Sequence, residues 1–159
     1  MRRIKPLLCC LGTIIIISGL AASSSQSMED SNRASKRVAD AVYKVYLRLL
    51  ESSVESEAQT LYKINRFVRK GAHFFIFALL SLFLVMASKL LRIRKLFSYI
   101  LVLLVVTLIA AADEYHQSFT GRGASFSDVM LDVYGYLAVL GIDAIKELIL
   151  RMTRKLRKA

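Results

Sequence analysis

The chain alternates between apolar and polar blocks, and the blocks set its plan. Residues 7–22 are apolar, with Arg2, Arg3 and Lys5 before them and small residues after. Residues 72–91 form a second apolar run, which ends inside a short basic segment, 89–95. Residues 96–112 form a third and carry no charge. Residues 129–150 form the weakest, because only ten residues separate Asp132 from Asp143 and Lys146 and Glu147 follow. Each run approaches the roughly 20 residues that cross a bilayer as a helix. The first run has two readings. It is a cleaved signal peptide with a small-residue site near Ala21, Ala22 and Ser23, or an uncleaved anchor. The pattern alone leaves both open.

The polar stretch between the first two runs has its own pattern. Ser23, Ser24, Ser25, Gln26 and Ser27 read as a flexible exit. Val38, Val42, Val45 and Leu49 then recur at helical spacing among Lys36, Arg37, Asp40, Lys44 and Arg48, which predicts an amphipathic helix. Leu61, Ile64, Phe67 and Val68 make a second, shorter stripe, with an acidic break at 51–57 between the two. This loop, 28–70, either lies on the membrane surface, covers the mouth of the bundle, or stands as a solvated hairpin. The fold class expected is all-α, as one domain, 1–159. It is an integral membrane bundle of four transmembrane helices with an amphipathic helical outer loop.

Composition strengthens the membrane reading. The chain has 159 residues, 55% of them hydrophobic, and a mean hydropathy of +0.48. A net charge of +11 raises nucleic acid as a partner, but its distribution argues against it. Basic residues gather at the two termini and in the 89–95 segment, with no interleaved aromatic surface. Membrane lipids are the expected partners instead. If the termini and the 89–95 segment face the cytoplasm, they hold thirteen Lys/Arg and two acids, which is the whole net charge. That satisfies the positive-inside tendency. It predicts a multi-pass plasma-membrane protein with both termini cytoplasmic. Cys9 and Cys10 are adjacent in an apolar run and suit neither a disulfide nor a complete metal site.

Candidate chemistry concentrates where the spans meet the outer side. Arg69, Lys70 and His73 open the second span. Asp113, Glu114, His116 and Gln117 close the third, and Arg122, Asp128 and Asp132 lead into the fourth. Topology alone brings all three groups to one membrane face. On a continuous helix Asp113, His116 and Gln117 share a face, and Glu114 points elsewhere. Gly121 and Gly123 flank Arg122 and suggest a tight turn. Ser125 or Ser127 can cap the helix that starts near Asp128. At the far end of that helix, Asp143 and Lys146 are spaced to pair.

Arg69, Lys70 and Arg122 suit the clamping of a phosphate or carboxylate. With Gln117, Asp128 and Asp132 they make up the ligand-binding set. Asp113, Glu114, His116 and His73 suit acid–base chemistry, because burial and neighbouring charge push such groups apart in acidity. No zinc spacing is present, so no metal and no cofactor is expected. The competing reading is structural: the same charges neutralise one another and lock the helix ends together.

These residues resemble the VanZ-like family of small bacterial membrane proteins. The pattern Arg-Lys-x-x-His-Phe appears as Arg69, Lys70, His73 and Phe74, and Asp-Glu-x-x-Gln as Asp113, Glu114 and Gln117. The later Gly-Arg, Asp and x-x-Gly signatures fall at Gly121-Arg122, Asp128 and Asp132 to Gly135. Ser24-Ser25-Gln26 after the first run is similar too. Thr120 stands where proline is usual, and Asp132 where asparagine is usual. The resemblance implies an uncleaved first span, hence four spans. The family's founding member is associated with resistance to the glycopeptide teicoplanin. That makes a glycopeptide-related or lipid-linked cell-wall ligand the expected partner class, with no reaction attached.

Overall fold

A computed structural model describes residues 4–26, 28–50, 57–120 and 125–157. Among them the chain is entirely helical, with five helices: α1 (Ile4–Ser24), α2 (Met28–Leu50), α3 (Glu57–Leu90), α4 (Lys95–Ser118) and α5 (Phe126–Leu156). The all-α expectation holds. Three of the five are long and apolar enough to cross a membrane: α1, α3 and α4. α5 is not among them. Its 31 residues suffice in length, but charge at both ends interrupts its apolar middle.

α3 departs from the expected pattern. The Leu61–Val68 stripe and the second apolar run are one helix of 34 residues, about 51 Å long. No proline breaks the sequence between them, and Gly71 sits inside the helix with open space around it. α2 also differs. Val38, Val42 and Val45, the expected packing stripe, are exposed. The buried positions are Ala39 and Tyr43, one residue over. Among the described residues α2 packs mainly against α3, so only a narrow strip is covered, and small Ala39 occupies its centre.

α1, α3, α4 and α5 surround one core of Leu20, Phe77, Leu80, Val85, Val102, Val106, Ala110 and Tyr136. α3 and α5 approach backbone to backbone. A Cβ on Gly135 would lie 2.6 Å from the Phe74 carbonyl oxygen and 2.9 Å from the Ala78 nitrogen. Only glycine permits that approach. It sits one turn from Asp132 on α5 and faces the turn after His73 on α3. Tyr136 then reaches across the core, and its hydroxyl donates to the Tyr99 carbonyl at 2.8 Å.

Candidate functional site

The buried stripe of α4 explains how polar residues enter the bundle. It runs Ser98, Val102, Val106, Ala110, then Asp113, Glu114 and Gln117. The steps of three and four stay on one helical face, so the face that buries valines in mid-helix buries carboxylates at the end. His73 lies one turn before buried Phe77 on α3, and Asp132 one turn before buried Tyr136 on α5. Each helix therefore extends its core face into the same polar end.

At the centre, His73 Nδ1 is 3.9 Å from Asp113 Oδ2 and 3.9 Å from Asp132 Oδ1. Both distances are within ion-pair reach and beyond hydrogen-bond length. Gln117 Nε2 donates to Asp113 Oδ2 at 2.5 Å, so the expected shared face of Asp113 and Gln117 is real. Asp132 is only 1% exposed, and among the described residues neither of its carboxylate oxygens accepts a hydrogen bond.

Around this centre lie ties between helices. The Lys70 ammonium pairs with Asp128, joining α3 to α5. The Ser125 backbone N–H donates to Glu114 Oε2 at 3.0 Å, fixing the start of α5 against α4. Glu114, expected to point elsewhere, is buried beside Asp113. The carboxylate needs a donor that the chain entering α5 supplies. His116 leaves the centre instead: its Nδ1 and the Ser24 hydroxyl are hydrogen-bonded at 3.2 Å, tying α1 to α4. Asp113 and His116 still stand on one side of α4, about 60° apart, with His116 turned toward α1 and Gln117 toward the centre.

Arg69 is half-buried and makes no ion pair among the described residues. Arg122 and its glycine turn lie outside the described residues, as does most of the acidic break at 51–57. Ser125 does occupy the N-cap position of α5, which begins at Phe126. Its hydroxyl bonds Ser127 at 2.7 Å rather than the helix, so no side-chain cap forms. Among the described residues no group of three or more metal-ligating side chains is arranged to hold an ion.

A crevice of about 330 Å³ opens beside the cluster, between α1 and α4. Ile17, Leu20 and Ile109 form its apolar length, and Ser24, Asp113 and His116 form its polar end. It lies on the α1–α4 seam of the bundle. The sequence offered no sign of it, since the Ser24–His116 contact joins residues 92 apart.

A second polar cluster occupies the opposite end of the bundle. Asp143 accepts from the Lys89 ammonium and from the Tyr99 hydroxyl, the latter at 2.6 Å. Glu147 pairs with Lys95, and Arg151 Nη2 approaches it at 3.7 Å. Asp143 was expected to pair within its own helix, with Lys146. Lys89 and Tyr99 capture it because α3 and α4 both begin or end at this level. The two clusters are separated by about 24 Å along α3 and about 27 Å along α4. That matches the roughly 30 Å of a bilayer's hydrocarbon core.

The ordered motifs find a counterpart among known families: the model of VanZ/LLP1 matches residues 8–146. The chain belongs to the VanZ/LLP1 family. Comparison with curated proteins and with solved structures gives no match. The VanZ/LLP1 match runs from α1 into the second half of α5 and so includes the whole polar end. Family membership and three apolar helices together give the chain its membrane-protein character.

Proposed function

We propose that this VanZ/LLP1 protein spans the bacterial plasma membrane four times, with both termini cytoplasmic, and holds an anionic, lipid-linked ligand at its outer face. A cell-wall precursor or a glycopeptide-related molecule is the ligand class. α5 serves as the fourth span. Its charges count against it by composition, but Asp132 is buried against α3, and Asp143 has its partners on α3 and α4. Charges met by neighbouring helices are tolerated at membrane depth. The basic residues at the termini and in the 89–95 segment favour the cytoplasmic side for the end that carries Asp143.

One observation carries the ligand reading: the Asp132 carboxylate is 1% exposed and accepts no hydrogen bond. A lock satisfies its charges, because a buried group without a donor costs about 1–3 kcal/mol and more when ionised. A group kept in that state is suited to take up a proton or to receive a hydroxyl from a ligand. His73, Asp113, Glu114 and His116 offer acid–base and hydrogen-bonding capacity around it. Arg69, Lys70 and Arg122 supply the positive charge for the anionic group, with Gln117 and Asp128 shaping the site. The α1–α4 crevice, apolar along Ile17 and Ile109, suits a lipid chain whose head reaches Asp113 and His116.

The structural lock is the second reading, favoured by the Lys70–Asp128 and Ser24–His116 ties. Thermal stability of the purified protein, with a polyprenyl phosphate or with the uncharged polyprenol, separates the two. The ligand reading expects the phosphate to stabilise the wild type and not Arg69→Gln or Arg122→Gln, with all three equally abundant in the membrane. The lock expects no shift with either probe and a fall in folded abundance for Arg122→Gln.

A further inference from the structure

The end of the bundle opposite the His73 cluster contains a crevice of about 300 Å³. Its walls are the end of α3, the 91–94 turn, the start of α4 and the second half of α5. Three lysines line it, Lys89, Lys95 and Lys146, against two carboxylates, Asp143 and Glu147. Both carboxylates are already engaged. Asp143 binds Lys89 and the Tyr99 hydroxyl, and Glu147 binds Lys95 with Arg151 nearby. These pairs fix two of the lysines at the crevice wall. Lys146 is exposed and forms no hydrogen bond or ion pair among the described residues. The crevice thus has an excess of positive charge that no acid within it cancels.

Its flanks are apolar. Ile93 and Leu150 line it, and Leu150 is 45% exposed. Ile149, Leu96 and Phe97 beside it are exposed as well. A cationic recess bordered by uncovered aliphatic and aromatic side chains, at the edge of an apolar slab, has the two halves of a phospholipid binding site. Ammonium groups hold the phosphodiester, and the aliphatic border meets the glycerol and upper acyl chains. Free phosphate shares the first half of that chemistry and has no use for the second.

We propose that this crevice binds the headgroup of an anionic phospholipid, with Lys146 as the ammonium that is free to contact the phosphate and Lys89 and Lys95 held beside it by Asp143 and Glu147. The ligand enters from the surrounding leaflet, at the level of the 91–94 turn. This site is separate from the His73 cluster and does not depend on the ligand assigned there.

The test uses the full chain in neutral detergent, titrated with phosphatidylglycerol, phosphatidylcholine or inorganic phosphate and followed by thermal unfolding. Phosphatidylglycerol is expected to raise the unfolding temperature well above the effect of phosphatidylcholine, and inorganic phosphate to leave it unchanged. Lys146→Gln is expected to raise the half-saturating phosphatidylglycerol concentration about fivefold, since one lysine near a lipid surface contributes about 1 kcal/mol. Lys155→Gln removes the same charge outside the crevice and is expected to leave that concentration unchanged. Lys146 is exposed and makes no pair among the described residues, so its variant keeps the fold, which the unfolding baseline without lipid verifies. Equal weakening by Lys146→Gln and Lys155→Gln would overturn the proposal in favour of diffuse attraction over the basic end. A matching shift with inorganic phosphate would overturn the lipid as the ligand, and equal shifts with the two lipids would overturn the charge recognition.

Discussion

The two ends of this bundle are built from the same residue types and reach opposite states. At one end Asp143 receives an ammonium and a phenol hydroxyl, and Glu147 receives one ammonium with a guanidinium nearby. At the other, Asp113, Glu114 and Asp132 are all buried, and Asp132 accepts no hydrogen bond. Satisfied carboxylates join helices. Asp132, held in place by glycine packing and by neighbouring ties, is the buried carboxylate without such a partner among the described residues. On the proposed reading, the contrast marks Asp132 rather than Asp143 as the carboxylate left for a ligand. Completeness of hydrogen bonding is the discriminating property.

The largest expected effect comes from the contact that brings the polar end together. Gly135→Val places side-chain carbons where the Phe74 carbonyl oxygen and Ala78 nitrogen already are. Backbone cannot rotate away as a side chain does, so α3 and α5 must separate. The expected cost exceeds about 3 kcal/mol, above ordinary overpacking in a core. Folded, monodisperse protein after extraction should fall sharply. Gly141→Val, with open space around Gly141, is the control and should remain near wild type apart from helix propensity. Equal behaviour of the two variants would show that α3 and α5 do not meet at Gly135.

The next effect sets the two ends directly against each other. Asp143→Asn and Asp132→Asn are the same substitution on the same helix, eleven residues apart. At the satisfied end the change removes charge from two hydrogen bonds, and a loss of about 1–3 kcal/mol is expected. At the unsatisfied end it removes a buried charge that has no donor, and the outcome expected lies between no change and a gain of about 2 kcal/mol. Thermal unfolding of the two purified variants reads the sign. Two losses of similar size would make both ends structural and remove the contrast on which the ligand site rests.

The sequence made the fold class plain, because apolar blocks of this length leave few alternatives. The polar end was legible as well, since the expected topology brings Arg69 to His73, Asp113 to Gln117 and Asp128 to Asp132 to one end of the bundle, where His73, Asp113 and Asp132 meet. Less legible was which way each side chain turns. His116 shares a helical face with Asp113 by spacing, yet it bonds Ser24, and nothing local to residue 116 announces a partner on α1. Val38, Val42 and Val45 have textual periodicity without a neighbour to cover them, so periodicity placed the helix and not its buried side. Asp143 illustrates the same limit. Its nearest cation in sequence is Lys146, and its partner in space, Lys89, lies 54 residues away. Local spacing ranks the options, and packing of distant helices decides among them.

The smallest expected effect concerns the turn that frames the satisfied end. Arg92 has a φ of 58°, the left-handed region, and it closes α3 as glycine usually does. Its N–H bonds the Lys89 carbonyl at 3.1 Å, and the Ile93 N–H reaches the Ser88 carbonyl at 3.0 Å. An L-residue held there costs about 1 kcal/mol. Arg92→Gly relieves that cost and loosens the unfolded chain, so a net gain of at most about 1 kcal/mol is expected. For a chain of this size that is a rise of roughly 2–4 °C in unfolding temperature. The substitution leaves Lys89, Lys95, Asp143 and Glu147 untouched, which isolates the turn from the ion pairs beside it. A fall in stability would mean that the Arg92 charge itself helps to hold this end, and the balance there would then extend beyond the carboxylates and their partners on α3 and α4.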